Sequence, residues 1–146
     1  KIVFFHKPAY EIMPSRNNED IKAAFCPIID RHQVDLVFNA HDHGIARTFP
    51  IRDGMVSKNG SRGTVYYITG RSGAKTYTKI EKKPWNSFFH NPLDQPNYFV
   101  VEVTEAKVTV NTVKQDGTLL DVFSLDKSRR TASDATCIPE PAAALQ

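Results

Sequence analysis

Two short apolar runs bracket a helical pattern, and a histidine follows each within three residues. The first is Ile2–Phe5, followed by His6-Lys7-Pro8. The second is Val34–Phe38, followed by Asn39-Ala40-His41-Asp42-His43. Runs of this length without alternation read as strands buried on both faces. Pro8 stops the first, because proline donates nothing to a central ladder. Between them Ile21, Ala24, Phe25, Ile28 and Ile29 recur at helical spacing. Asn18 is placed to cap that helix, and Glu19-Asp20 suit its first turn. Pro27 is expected to kink the helix or split it. Strand, helix, strand in fewer than about forty residues is a βαβ unit. Its strands should be parallel and joined by a right-handed crossover. Both then end at the same sheet edge, where open α/β sheets bind ligands.

That placement gives the histidines chemical meaning. His6 ends the first strand, and His41 and His43 follow the second. Residues two apart in extended backbone point the same way, so both should face the cleft that His6 faces. Three imidazoles on one edge are good ligands for zinc, iron or manganese. Unrelated surface histidines are the plainer alternative. Asn39 is a candidate to orient a ligand histidine, or else a turn residue. Asp42, pointing away from its neighbours, is expected to be solvated.

The rest of the chain turns to β character. Ala46–Ile51 is a candidate strand, Val56–Gly63 holds a hairpin signal at Asn59-Gly60, and Gly63–Thr69 is a strong strand. Residues 71–96 read as a long loop onto which Trp85, Phe88 and Phe89 pack, a functional segment or lid. Tyr98–Val103, Lys107–Val113 and Thr118–Leu125 form a meander. The fold class is therefore α/β (α+β): one βαβ unit followed by a mainly antiparallel meander. Residues 1–126 form the domain, and 127–146 a disordered tail or linker. Because Lys1 already stands in a strand pattern with no initiator methionine, a segment upstream is expected.

Bulk properties exclude other classes. The chain has 146 residues and a formal charge of +3, with its Lys and Arg scattered, so no nucleic-acid partner is expected. No apolar run reaches the ~20 residues of a membrane span. Cys26 and Cys137 leave a single pairing open. Gly70-Arg71-Ser72-Gly73-Ala74-Lys75 lacks phosphate-loop spacing and reads as a glycine turn. Arg71 at a cleft rim and His90 in the long segment are candidate substrate contacts.

The segment Lys1–Tyr10 resembles the penultimate motif of the calcineurin-like metallophosphoesterases, in particular their purple-acid-phosphatase-like branch. Val34–His43 resembles the family's final Gly-His-x-His motif, and Arg47-Thr48 its following Arg-Ser/Thr. Gly63–Gly70 is similar to the next core strand. The similarity is close over residues 1–73 and is one of fold alone to about 125. It implies the C-terminal half of an α/β/β/α sandwich and two metal ions (iron, zinc or manganese). His6 and His41 match ligands of one metal, and His43 a ligand of the other. It also implies phosphoric ester hydrolysis by a metal-held hydroxide, and an extracellular or cell-envelope location. There are departures. Ala40 stands where the family has Gly, so an ordinary backbone is expected there. Ile45-Ala46 replaces Tyr-Glu, and Glu11–Asn18 lacks the histidines found near the leaving group. Asp-x-His, Gly-Asp and Gly-Asn-His-Asp/Glu are missing from their places; Asp30-Arg31-His32 matches the first only in letters, at a helix end. The expectation is an inactive fragment that needs the N-terminal half of its domain. The alternatives are a non-catalytic phosphatase-like or β-rich interaction module of a larger cell-surface protein, and a simple three-histidine metal site.

Overall fold

The computed structural model describes residues 1–57 and 62–126. β1 (Ile2–Phe4), α1 (Glu19–Arg31) and β2 (Leu36–Asn39) form the βαβ unit, with Ile2 opposite Leu36 and Phe4 opposite Phe38 in parallel register. α1 runs through Pro27 as one helix, so the proline does not split it in two. His32 caps its C-terminus. All four residues of β2 are buried, as a strand covered on both faces requires.

β3 (Ile45–Thr48) and β6 (Val65–Thr69) extend the sheet. β7 (Asn86–His90) closes it in the order β1-β2-β6-β3-β7, with β3 and β7 antiparallel to their neighbours. β7 corrects the reading of 71–96 as a loop: its centre is a strand, pairing Ile45 with His90 and Arg47 with Phe88. The expected strand Ala46–Ile51 is also divided. Its first part is β3. Its end becomes β4 (Ile51–Arg52), which pairs with β5 (Met55–Val56) across Asp53-Gly54. Those two residues have φ of 50° and 71°, as a tight hairpin turn of the Asp-Gly kind demands. The Asn59-Gly60 turn, the tail 127–146 and a pairing of Cys26 with Cys137 lie outside the described residues.

β8 (Asn97–Val103), β9 (Lys107–Lys114) and β10 (Leu119–Asp126) make the expected meander, an antiparallel sheet of its own. The period of two divides the core. Leu36, Phe38, Val65 and Tyr67 face the second sheet and pack with Val108 and Val110. Val37 and Tyr66 face the other way, against Ile29 of α1 and Tyr10. Helix, sheet and sheet are thus stacked in that order. A fork from Arg47 fastens the two sheets. Its Nε and Nη2 donate to Asp121 Oδ2 and Oδ1 at 2.7 and 3.0 Å.

Candidate metal centre

The chain reaches the carboxyl edge of β1 and β2 and turns there twice. At the first turn Ala40 N donates to His6 O at 2.9 Å, and Asn39 Nδ2 donates to Phe5 O at 2.8 Å. These bonds lock the end of one parallel strand to the end of the other. Asn39 therefore holds the strand ends rather than a histidine ring.

The second turn is strained. Asp42 N donates to Ala40 O at 2.8 Å across His41, whose φ is 69°. This is a three-residue turn of the rare positive-φ kind. His43 also has positive φ, at 53°. Such residues cost on the order of 1–3 kcal/mol each and persist only where their surroundings over-determine them. Ala40 keeps ordinary backbone geometry, as expected; the unusual geometry falls on the histidines themselves. The segment is not extended, which corrects the view that His41 and His43 project together.

Asp42 supplies the restraint. Expected in solvent, it is fully buried. Its Oδ2 accepts from Ile12 N at 2.8 Å and Met13 N at 3.3 Å, and its Oδ1 is paired with Arg16. The loop after β1 is thereby fastened beneath the histidine turn. The signal was present in sequence only as a carboxylate with an arginine far from it, which spacing does not connect.

The two histidine environments differ. His6 Nε2 and His41 Nδ1 lie 3.0 Å apart, their rings in an edge arrangement with centroids 4.9 Å apart. Burial holds the His41 imidazole below its ordinary pKa. Arg16, His6 and Lys7 push the same way, against Asp42. His43 contacts Tyr77, ring centroids 4.9 Å apart, and its Nδ1 lies 3.0 Å from Lys75 O. A carbonyl only accepts, so Nδ1 carries the proton and the Nε2 lone pair is left for another partner. The orienting group is thus the Lys75 carbonyl, which side-chain motifs do not reveal.

The donor set can be tested against a metal. Imidazole nitrogens about 2.1 Å from one ion, at angles of 90–109°, lie roughly 3.0–3.4 Å from each other. The His6–His41 separation fits one such edge, though a hydrogen bond between the rings fits it equally. Among the described residues no three His, Cys, Asp or Glu side chains are grouped to hold a metal ion. His6 and His41 meet; His43 stands apart with Tyr77.

The other two candidates are placed differently. Arg71 is buried, and its guanidinium donates to the carbonyls of Pro92, Gly73 and Leu93. It clasps the loops around Gly70, whose φ of 74° makes the expected glycine turn. His90 ends β7, its Nε2 buried without a hydrogen-bond partner, and burial lowers its pKa, aided by Lys114.

Solved structures share this fold. A purple acid phosphatase, PPD1, from yellow lupin (Lupinus luteus) seeds superposes with a TM-score of 0.64 at 16% identity, over 86% of this chain. GAP50, the anchor in the inner membrane complex of Plasmodium, gives 0.63 at 18% identity over 83%. The chain has a purple-acid-phosphatase-like metallophosphoesterase fold. It spans 24% of the lupin chain and 34% of GAP50, so it corresponds to part of each. No family model matches the chain, nor does any curated protein. The shared fold accounts for the parallel pair and the second sheet together.

Proposed function

We propose that this chain is the C-terminal portion of a binuclear-metal phosphoesterase that hydrolyses phosphoric esters. One observation carries the reading. His6 Nε2 and His41 Nδ1 stand 3.0 Å apart at the ends of adjacent parallel strands, on a turn whose strain a buried carboxylate sustains. His6 and His41 would hold one ion, and His43, through Nε2, would join the other. A metal pair supplies Lewis acidity and a water of lowered pKa. The chain's own part is orientation. Asn39 ties the strand ends, Asp42 fixes the turn, and the Lys75 carbonyl sets the His43 tautomer. The bridging carboxylate and the other ligands would come from the N-terminal half of the domain, and the location of the whole protein would be extracellular or in the cell envelope. Among the described residues no helix is long and apolar enough to cross a membrane. Arg71 has no part in the proposal, since its donors are spent on carbonyls. A substrate role for His90 rests only on its unpartnered nitrogen.

Metal titration tests the reading. The chain should bind one Zn²⁺ weakly, and His6→Ala or His41→Ala should each abolish that binding in calorimetry. Unchanged Zn²⁺ binding in both variants overturns the ligand assignment. The isolated chain should show no phosphatase turnover with Zn²⁺, Mn²⁺ or Fe²⁺; robust turnover overturns the claim that its site is incomplete. The likeness to GAP50 supports a second reading, a phosphatase-like interaction module without catalysis. Absence of Zn²⁺ binding by the unmutated chain favours that module.

A further inference from the structure

Beyond the histidines, the same edge carries a cationic cluster that the hydrolytic reading does not use. Tyr77 is its centre. Lys75 Nζ lies 5.2 Å from the Tyr77 ring centroid and Arg16 Cζ lies 5.7 Å from it. The His43 ring stands against the same phenol, and the Lys75 carbonyl holds His43 Nδ1. Two cations thus flank the phenol that packs against one candidate ligand.

The charge balance there is unequal. The partner of Arg16 is Asp42, whose side chain is fully buried, while the Arg16 side chain remains 20% exposed. The carboxylate is therefore beneath the surface and the guanidinium reaches it. Arg16 uses Nη1 on Asp42, and its fork has further N–H donors. Lys75 is exposed and makes no ion pair among the described residues. Clustered charge of one sign raises the local concentration of counter-ions, here anions.

We infer that Lys75, Arg16 and Tyr77 form an anion subsite beside His43 for the leaving group of the substrate. The substrate class follows: phosphoric esters or anhydrides whose leaving group carries a further anionic group, a second phosphate or a carboxylate. A neutral alcohol leaving group gains nothing from Lys75. The assignment to a leaving group rests on the proposed phosphoesterase reading; the anion site itself does not.

Inorganic pyrophosphate is the probe, titrated into the chain in the presence of EDTA and followed by the Tyr77 ring resonances. A saturable shift is expected. Lys75→Glu should weaken it about tenfold, because two units of charge change at the contact. His6→Ala should leave it unchanged. Lys75 is exposed, so its replacement should not disturb the thermal midpoint. No saturable shift, or equal affinity in Lys75→Glu, overturns the subsite even where Zn²⁺ binding at His6 and His41 holds. A saturable shift in a chain that binds no Zn²⁺ keeps the anion site but overturns its place beside a metal.

Discussion

Asp42 shows how much a single residue does at this edge. Its carboxylate joins two backbone amides and one guanidinium beneath a turn that the backbone alone disfavours. Asp42→Ala leaves Ile12 N and Met13 N without that acceptor and Arg16 without its counter-charge. Removing one partner of a buried pair typically costs about 3–5 kcal/mol. Urea denaturation should show a loss of that order, and the His41 ring resonances should lose their contact with His6. A loss below about 1 kcal/mol, as for exposed pairs, would place Asp42 outside the restraint. The histidines add a pH dependence with a definite sign. Burial lowers the folded-state pKa of His41 and of His90 below the ordinary imidazole value of 6.5. The unfolded chain then binds more protons than the folded one below neutrality. Stability from these groups is complete above about pH 6.5 and is lost as pH falls through the folded values. The urea midpoint should therefore fall on acidification from pH 7, and His90→Gln should flatten that fall. A midpoint that rises over this interval contradicts the sign.

At the scale of elements, the turn after β6 is the point most sensitive to one atom. Gly70 has φ 74°, and a Cβ there would lie 1.9 Å from Asn97 Oδ1. That amide accepts from Arg71 N and donates to Thr69 O, each at 3.0 Å, so it cannot withdraw without breaking the clasp. Gly70→Ala combines a left-handed backbone with overpacking and should cost about 2–4 kcal/mol in thermal or urea unfolding. A cost near zero would mean that the Asn97 clasp yields freely. Other elements show what the sequence could convey. The βαβ unit was legible because both strands are uninterrupted apolar runs and α1 has a clear apolar stripe. The meander was legible because its turns are polar and its strands alternate. β7 was not, since Pro84 and Pro92 flank only five residues of strand and mask them as loop. Pro50 divides β3 from β4, and Asp53-Gly54, as good a turn signal in sequence as Asn59-Gly60, makes the hairpin between β4 and β5. The histidine pair His6–His41 followed from parallel topology alone. The strained turn, the burial of Asp42 and the approach of Tyr77 did not, because each depends on contacts between segments distant in sequence.

For the whole molecule, the unmatched edges decide the behaviour of the isolated chain. β1 has no strand on its outer side among the described residues, and Phe4 is 72% exposed there. A cavity of about 530 Å³ opens beside it, lined by Phe4, Phe38, Phe99 and Val101 and reaching His6 and Asn39. Asn39 Oδ1 is buried at that lining without a hydrogen-bond partner. An open strand edge beside an apolar cleft is a template for pairing with another chain. On the proposed reading the N-terminal half of the domain covers it; in isolation a second copy takes its place. The chain should then associate as concentration rises, measured by light scattering. Phe4→Lys places a charge on the edge, a device by which natural sheets block such pairing. It forfeits the stack of Phe4 on Phe38, with centroids 5.3 Å apart. That contact contributes about 0.5–1.5 kcal/mol beyond its area, a modest loss. The variant should stay folded and monomeric where the unmutated chain associates. Association of equal strength in both would move the contact away from β1, to the exposed apolar residues Val122 and Leu119 of β10.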